Sequence, residues 1–140
     1  VAAGGVHSLA ITADGAVWSW GFGGFGQLGH GDHQNQLLPK KVEAFADQRV
    51  VVVSAGWAHS LALASPSPPT AASGAGASGR MDTFGQLGHG DVQNQLLPKK
   101  VEAFVGQRVV SVAAGSAHNI ALTAVTADGS VWSWGVGDWG

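Results

Sequence analysis

The chain has 140 residues and a net charge of −2, from seven Lys+Arg against nine Asp+Glu. Charged residues are 11 % and hydrophobic residues 45 % of the whole, which excludes a disordered polyelectrolyte and gives no electrostatic footprint for nucleic acid or an anionic membrane. Cysteine is absent, so there is no disulfide, thiolate metal site or cysteine nucleophile. No stretch of about 18 apolar residues appears, and no basic-then-apolar leader opens the chain. These features read as an intracellular protein, cytoplasmic or nuclear. A start at Val1 rather than Met reads as a piece of a longer protein. The 22 glycines follow no three-residue period, which excludes a collagen triple helix.

The first segment, AGGVHSLAI (3–11), alternates in the manner of a strand. TADGAVWSWG (12–21) follows, and its Asp14-Gly15 pair between strand patterns predicts a tight hairpin turn. Trp18 and Trp20 are two apart and share one face of the next strand. FGQLGHGD (25–32) is a glycine loop. Pro39 beside Val42 predicts an edge strand, because proline cannot donate to a ladder. Residues 41–48 have room for one helical turn. VVVVSA (50–55) and HSLALA (59–64) are strand patterns again.

A self-similarity search shows why these elements recur. Residues 25–51 and 84–110 differ only at His33/Val92, Ala46/Val105 and Asp47/Gly106. The Ala-Gly-x-x-His element occurs three times, with His7, His59 and His118, and the VWSWG element twice, with Trp18 and Trp20 and then Trp132 and Trp134. The units run 1–54, 55–113 and 114–140. Each full unit is about four short strands joined by glycine turns, the size of one propeller blade. The middle unit breaks the pattern: SPSPPTAASGAGASGRMD (65–82) replaces the tryptophan hairpin and has the composition of a flexible linker. It reads either as a frame or splice discontinuity in the gene or as a natural insertion. In both cases this unit is expected to lack one inner strand.

AGxxHSLAL, DGxVWSWG, FGQLGHGD and the later Pro-x-x-V together resemble the repeat of the regulator of chromosome condensation family. The resemblance implies an all-β, seven-bladed propeller, of which this chain supplies a part, about two and a half blades. It implies a non-enzymatic protein-interaction scaffold, with further repeats or self-association covering the open edges. Partners in the family include Ran-type small GTPases, for which some members are guanine-nucleotide exchange factors, ubiquitin-pathway substrates and chromatin. Another branch senses UV-B through a Gly-Trp-Arg-His-Thr pentapeptide. Here the nearest match is Gly56-Trp57-Ala58-His59-Ser60, with the arginine and threonine replaced.

Other chemistry reads weakly. GFGGFG (21–26) and GVGDWG (135–140) satisfy G-x-G-x-x-G, but no helix opens after either to meet a pyrophosphate. His30, Asp32 and His33 form a poor metal set, since the sister copy carries Val92. No catalytic, cofactor or metal residue is assigned. The histidines at 7, 59 and 118, the four VWSWG tryptophans, and Gly26, Gly29, Gly85 and Gly88 read as structural. Trp57 and Trp139 read as exposed interface anchors, and Lys40, Lys41, Lys99 and Lys100 as basic spots on one rim.

Overall fold

The computed structural model describes residues 1–65, 74–79, 87–91, 93–104, 107–116, 118–122 and 130–135. They form three antiparallel sheets in chain order. The first holds β1 (Ala2–Ala3), β2 (His7–Ile11), β3 (Val17–Gly21) and β4 (Gln36–Lys41), paired in that order. The second holds β5 (Val50–Ala55), β6 (His59–Ala64), β7 (Gly74–Gly79) and β8 (Gln95–Lys100). The third pairs β9 (Ser111–Ala114), β10 (His118–Leu122) and β11 (Val131–Gly135). Single 3-10 turns, Glu43–Phe45 and Glu102–Phe104, follow β4 and β8. The architecture is all-β and is that of a partial propeller. Each sheet opens with a strand that runs into its Ala-Gly-x-x-His motif, β1, β5 and β9 in turn, so the sheets keep the period of the repeated motifs.

Each sheet is too small to bury both its faces, so stacking supplies the core. β5 lies against β1 and β2, and β9 against β5 and β6. At the seam between the first and second sheets, Val17, Val42, Val50 and Ala62 are buried, with Ile11, Phe45 and Val53 packed on them. At the seam between the second and third, Leu61, Leu63, Leu87, Val101, Phe104, Val109 and Val112 are buried, with Trp134 packed on them. All six residues of β6 are buried, since it has a ladder on each edge and a sheet on each face. Pro39 lies on an edge strand, β4.

Two expectations need correction. The hairpin after β2 is not a two-residue turn. Thr12 N–H donates to Ala16 O (3.0 Å) and Gly15 N–H to Thr12 O (2.9 Å), so the loop is one residue longer. The positive φ falls on Gly15 (88°), where a side chain would also collide with Arg49 of the next sheet. The middle unit, moreover, does not lack its third strand. Residues 74–79 of the Pro/Ser/Ala/Gly segment form β7, which pairs with β6 from His59↔Gly79 to Ala64↔Gly74. β7 meets β8 with the same register shift that β3 shows against β4: Ala77↔Lys99 and Gly79↔Gln95 match Ser19↔Lys40 and Gly21↔Gln36. A ladder is made by backbone groups, so a strand held on both edges forms even from glycine, alanine and serine.

Gly15→Ala places a methyl group in a left-handed conformation. It is expected to lower unfolding free energy by about 1–2 kcal/mol, measured by urea denaturation, whereas Ala13→Gly on the same loop leaves the hairpin intact.

Candidate interaction surface and the seam beneath it

Three loops meet at one end of the first two sheets: β1–β2, β3–β4 and β5–β6. Gly5 N–H donates to Gly56 O (3.1 Å) and Phe22 N–H to Val6 O (2.9 Å), which ties them together. On this platform Phe22 packs edge-on against Phe25, with centroids 5.1 Å apart and planes at 77°. Phe25 lies 6.2 Å from Trp57 at 35°. Trp57 is 48 % and Phe22 37 % exposed. Gly5 makes room for the indole, since a Cβ there would collide with the Trp57 ring. The loop beneath is fixed by Gly23 N–H to Asn35 Oδ1 (2.9 Å), Phe25 N–H to Gln27 Oε1 (3.0 Å) and His33 Nδ1 to Gly24 O (3.1 Å). The exposure of Trp57 was legible in the sequence. Phe22 and Phe25 were not, because they read as part of a glycine turn. Their signal was two aromatics three residues apart in a loop that has no core of its own to fill.

Below the loops the seam carries a polar relay. The Ser60 hydroxyl donates to Gln27 O (2.7 Å), so His7 Nε2–H donates to Ser60 Oγ (2.8 Å). This fixes the neutral tautomer of His7 and leaves Nδ1 buried without a hydrogen-bond partner among the described residues. Burial, with the nearby His59 adding to it, pushes the His7 imidazole down to about 4. Ser19 repeats the device within the first sheet. It donates to Leu28 O (2.8 Å) and receives His30 Nε2–H (2.9 Å), and burial holds His30 below its ordinary value too. Asp32 Oδ1 accepts from Gln34 N–H (3.0 Å). His30, Asp32 and His33 therefore each serve a separate local bond.

The lysines sit elsewhere. Lys40 and Lys41 on β4, and Lys99 and Lys100 on β8, lie on edge strands. Lys41 stands across from Trp18, toward the hairpin end and away from the aromatic loops. There its charge adds to the Thr12 and Ala16 hydrogen bonds that hold Asp14 below the usual carboxylate range. Lys99 Nζ lies 3.5 Å from Asp91 Oδ2. Lys40 and Lys41 thus lie away from Trp57, and Lys99 and Lys100 take the equivalent positions on β8. Trp18 and Trp20 on β3 are half-buried, Trp132 is exposed on β11, and Trp134 is half-buried in the second seam. His59 is buried in β6, and His118 lies on β10. Gly26 and Gly29 take positive φ, as does Gly88. Trp139 and Gly85 lie outside the described residues.

The profile of the regulator of chromosome condensation (RCC1) repeat matches residues 14–63 and 79–122. The chain belongs to the RCC1 repeat family. It is 36 % identical over 135 residues to the ultraviolet-B receptor UVR8 of Arabidopsis thaliana, covering 96 % of this chain and 28 % of that protein. It is 42 % identical over 140 residues to the human E3 ubiquitin-protein ligase HERC2, covering 100 % of this chain and 3 % of the ligase. Among solved structures it superposes on Prp20p of Saccharomyces cerevisiae with a TM-score of 0.74 at 30 % identity, over 98 % of this chain and 32 % of that one. The same holds for human WBSCR16, with a TM-score of 0.80 at 28 % identity, over 96 % and 32 %. The chain spans less than a third of the length of each of these relatives. In RCC1 terms, the seam relay joins the histidine of one repeat to the serine that follows the histidine of the next.

His7 titrates at about 4 in the fold, against 6.5 for the free group. The unfolded chain therefore takes up the proton first. Stability is full above pH 6.5 and falls as the pH drops toward 4, by an amount on the order of 3 kcal/mol. Thermal melts between pH 7.5 and pH 4.5 measure this, and His7→Gln is expected to flatten the dependence.

Proposed function

We propose that this RCC1-repeat segment is a protein-interaction scaffold that grips its partner with the aromatic loop face of Phe22, Phe25 and Trp57. The observation that carries the reading is a large exposed indole beside two phenylalanines, on loops that the β1–β2 loop ties together by backbone hydrogen bonds. Rigid, part-exposed aromatics are the usual energetic anchors of protein interfaces. The relatives are in keeping with this: Prp20p is described with binding properties to Gsp1p and histones, and HERC2 is a ubiquitin ligase. The four lysines are an outer, secondary contact for an acidic partner.

The second sheet shows how an outer edge is closed. Gly31 N–H donates to Leu96 O (3.0 Å), so the glycine loop of the first repeat lies over β8. The equivalent strand β4 has no such cover among the described residues, and Leu37 is 94 % exposed there. A glycine loop from a further repeat, or from a second copy of the chain, fits that edge.

Two measurements test these readings. Affinity capture is compared for wild type, Phe22→Ala/Trp57→Ala and Lys40→Ala/Lys41→Ala. A partner lost about tenfold or more with the aromatic pair, and less with the lysine pair, supports the face, while equal capture by all three removes it. Leu37→Ser/Leu38→Ser is expected to reduce concentration-dependent self-association in sedimentation velocity.

A further inference from the structure

One motif in the sequence has no task in the fold. Pro66-Ser67-Pro68-Pro69 satisfies P-x-x-P. Chains of this composition favour the polyproline II helix, with three residues per turn and a rise of about 3.1 Å. Residues 66–73 lie outside the described residues, but the strands before and after them are placed. Ala64 pairs with Gly74, so the segment leaves and rejoins the second sheet at its hairpin end.

The aromatic loop face stands at the other end of that sheet, where β6 begins at His59, two residues after Trp57. Its three rings form a row, with steps of 5.1 Å from Phe22 to Phe25 and 6.2 Å from Phe25 to Trp57. Rings already in contact leave no box between them for a cationic head group. They offer a ridged strip instead, with Phe25 half-buried between two exposed rings. One turn of polyproline II is about 9 Å long. Prolines three residues apart therefore reach the outer rings of such a row. Aromatic strips recognise proline-rich segments in this way, because the ligand is ordered before it binds. The charges agree. Loops 4–6, 22–35 and 56–58 contain no lysine or arginine, and the Asp32 carboxylate is engaged by Gln34 N–H. Residues 65–79 contain no charged residue.

We propose that the aromatic loop face of one copy binds the Pro66-Ser67-Pro68-Pro69 segment of a second copy of this chain. The assignment presupposes that this face is an interaction surface. Chain length keeps the segment from its own face. From Ala64 to Trp57 and back to Gly74 is a path of about 40 Å, at about 3.3 Å per residue along β6. Residues 65–73 span at most about 35 Å when fully extended, and less as polyproline II. The contact is therefore made in trans. Its two halves lie at opposite ends of the second sheet, so it is heterologous, and copies join end to end rather than stopping at a two-fold dimer.

The test uses the full chain carrying Leu37→Ser/Leu38→Ser, so that the bare β4 edge adds nothing, with circular dichroism to check each fold. In sedimentation velocity this parent is expected to grow beyond a dimer as concentration rises. Trp57→Ala keeps the segment and loses the ring. Pro66→Ala/Pro68→Ala/Pro69→Ala keeps the face and loses the segment. Each is expected to stay monomeric alone, and the two mixed to give a one-to-one heterodimer and nothing larger. The free peptide of residues 65–73 is expected to bind the triple-alanine variant saturably, and about tenfold or more weakly once Trp57→Ala is added. A mixture that stays monomeric, association that neither variant reduces, or a peptide that does not bind would overturn the proposal. If the peptide fails while affinity capture still loses a partner with Phe22→Ala/Trp57→Ala, the segment is ruled out and the aromatic face stands.

Discussion

The contact between neighbouring sheets governs this molecule. A sheet of three or four such short strands leaves one face or both uncovered, and only a second sheet removes that apolar surface from water. The first seam does so with Val17, Val42, Val50 and Ala62, and the second with a cluster of leucines and valines around Phe104. The polar relay His7–Ser60–Gln27 O then fixes how the first sheet sits on the second. A hydrogen bond between two buried side chains adds direction to a contact that apolar packing alone leaves free to slide. The cost is a histidine that must stay neutral.

The loops that present Phe22, Phe25 and Trp57 depend on that same seam. Gly5 is bonded to Gly56 of the next sheet and the Phe22 amide to Val6, so the platform exists only once the sheets are stacked. An aromatic group held by backbone bonds on a stacked core loses little freedom on meeting a partner. The lysines, on edge strands toward the far end, share none of this rigidity.

Two almost identical stretches of sequence end in different surroundings. Leu96 is half-buried under a glycine loop while its counterpart Leu37 is bare. Phe104 is sealed by two indoles while Phe45 looks into a cleft. Residue identity is shared in these pairs, so the neighbour across the seam makes the difference. Burial in a stacked array belongs to the interface rather than to the repeat.

The strands β2, β3, β5 and β6, the hairpin near Asp14-Gly15 and the edge position of Pro39 were legible in the sequence, as was the blade-sized repeat. Each rests on a local rule, alternation, positive φ or a missing donor, that a few consecutive residues satisfy by themselves. The partnership of Trp57 with Phe22 and Phe25, the relay through Ser60, and the strand made from GAGASG were decided by tertiary structure. Those residues carry weak or contrary local preferences. What they become is set by a ladder on either edge, or a sheet on one face, supplied from elsewhere in the chain.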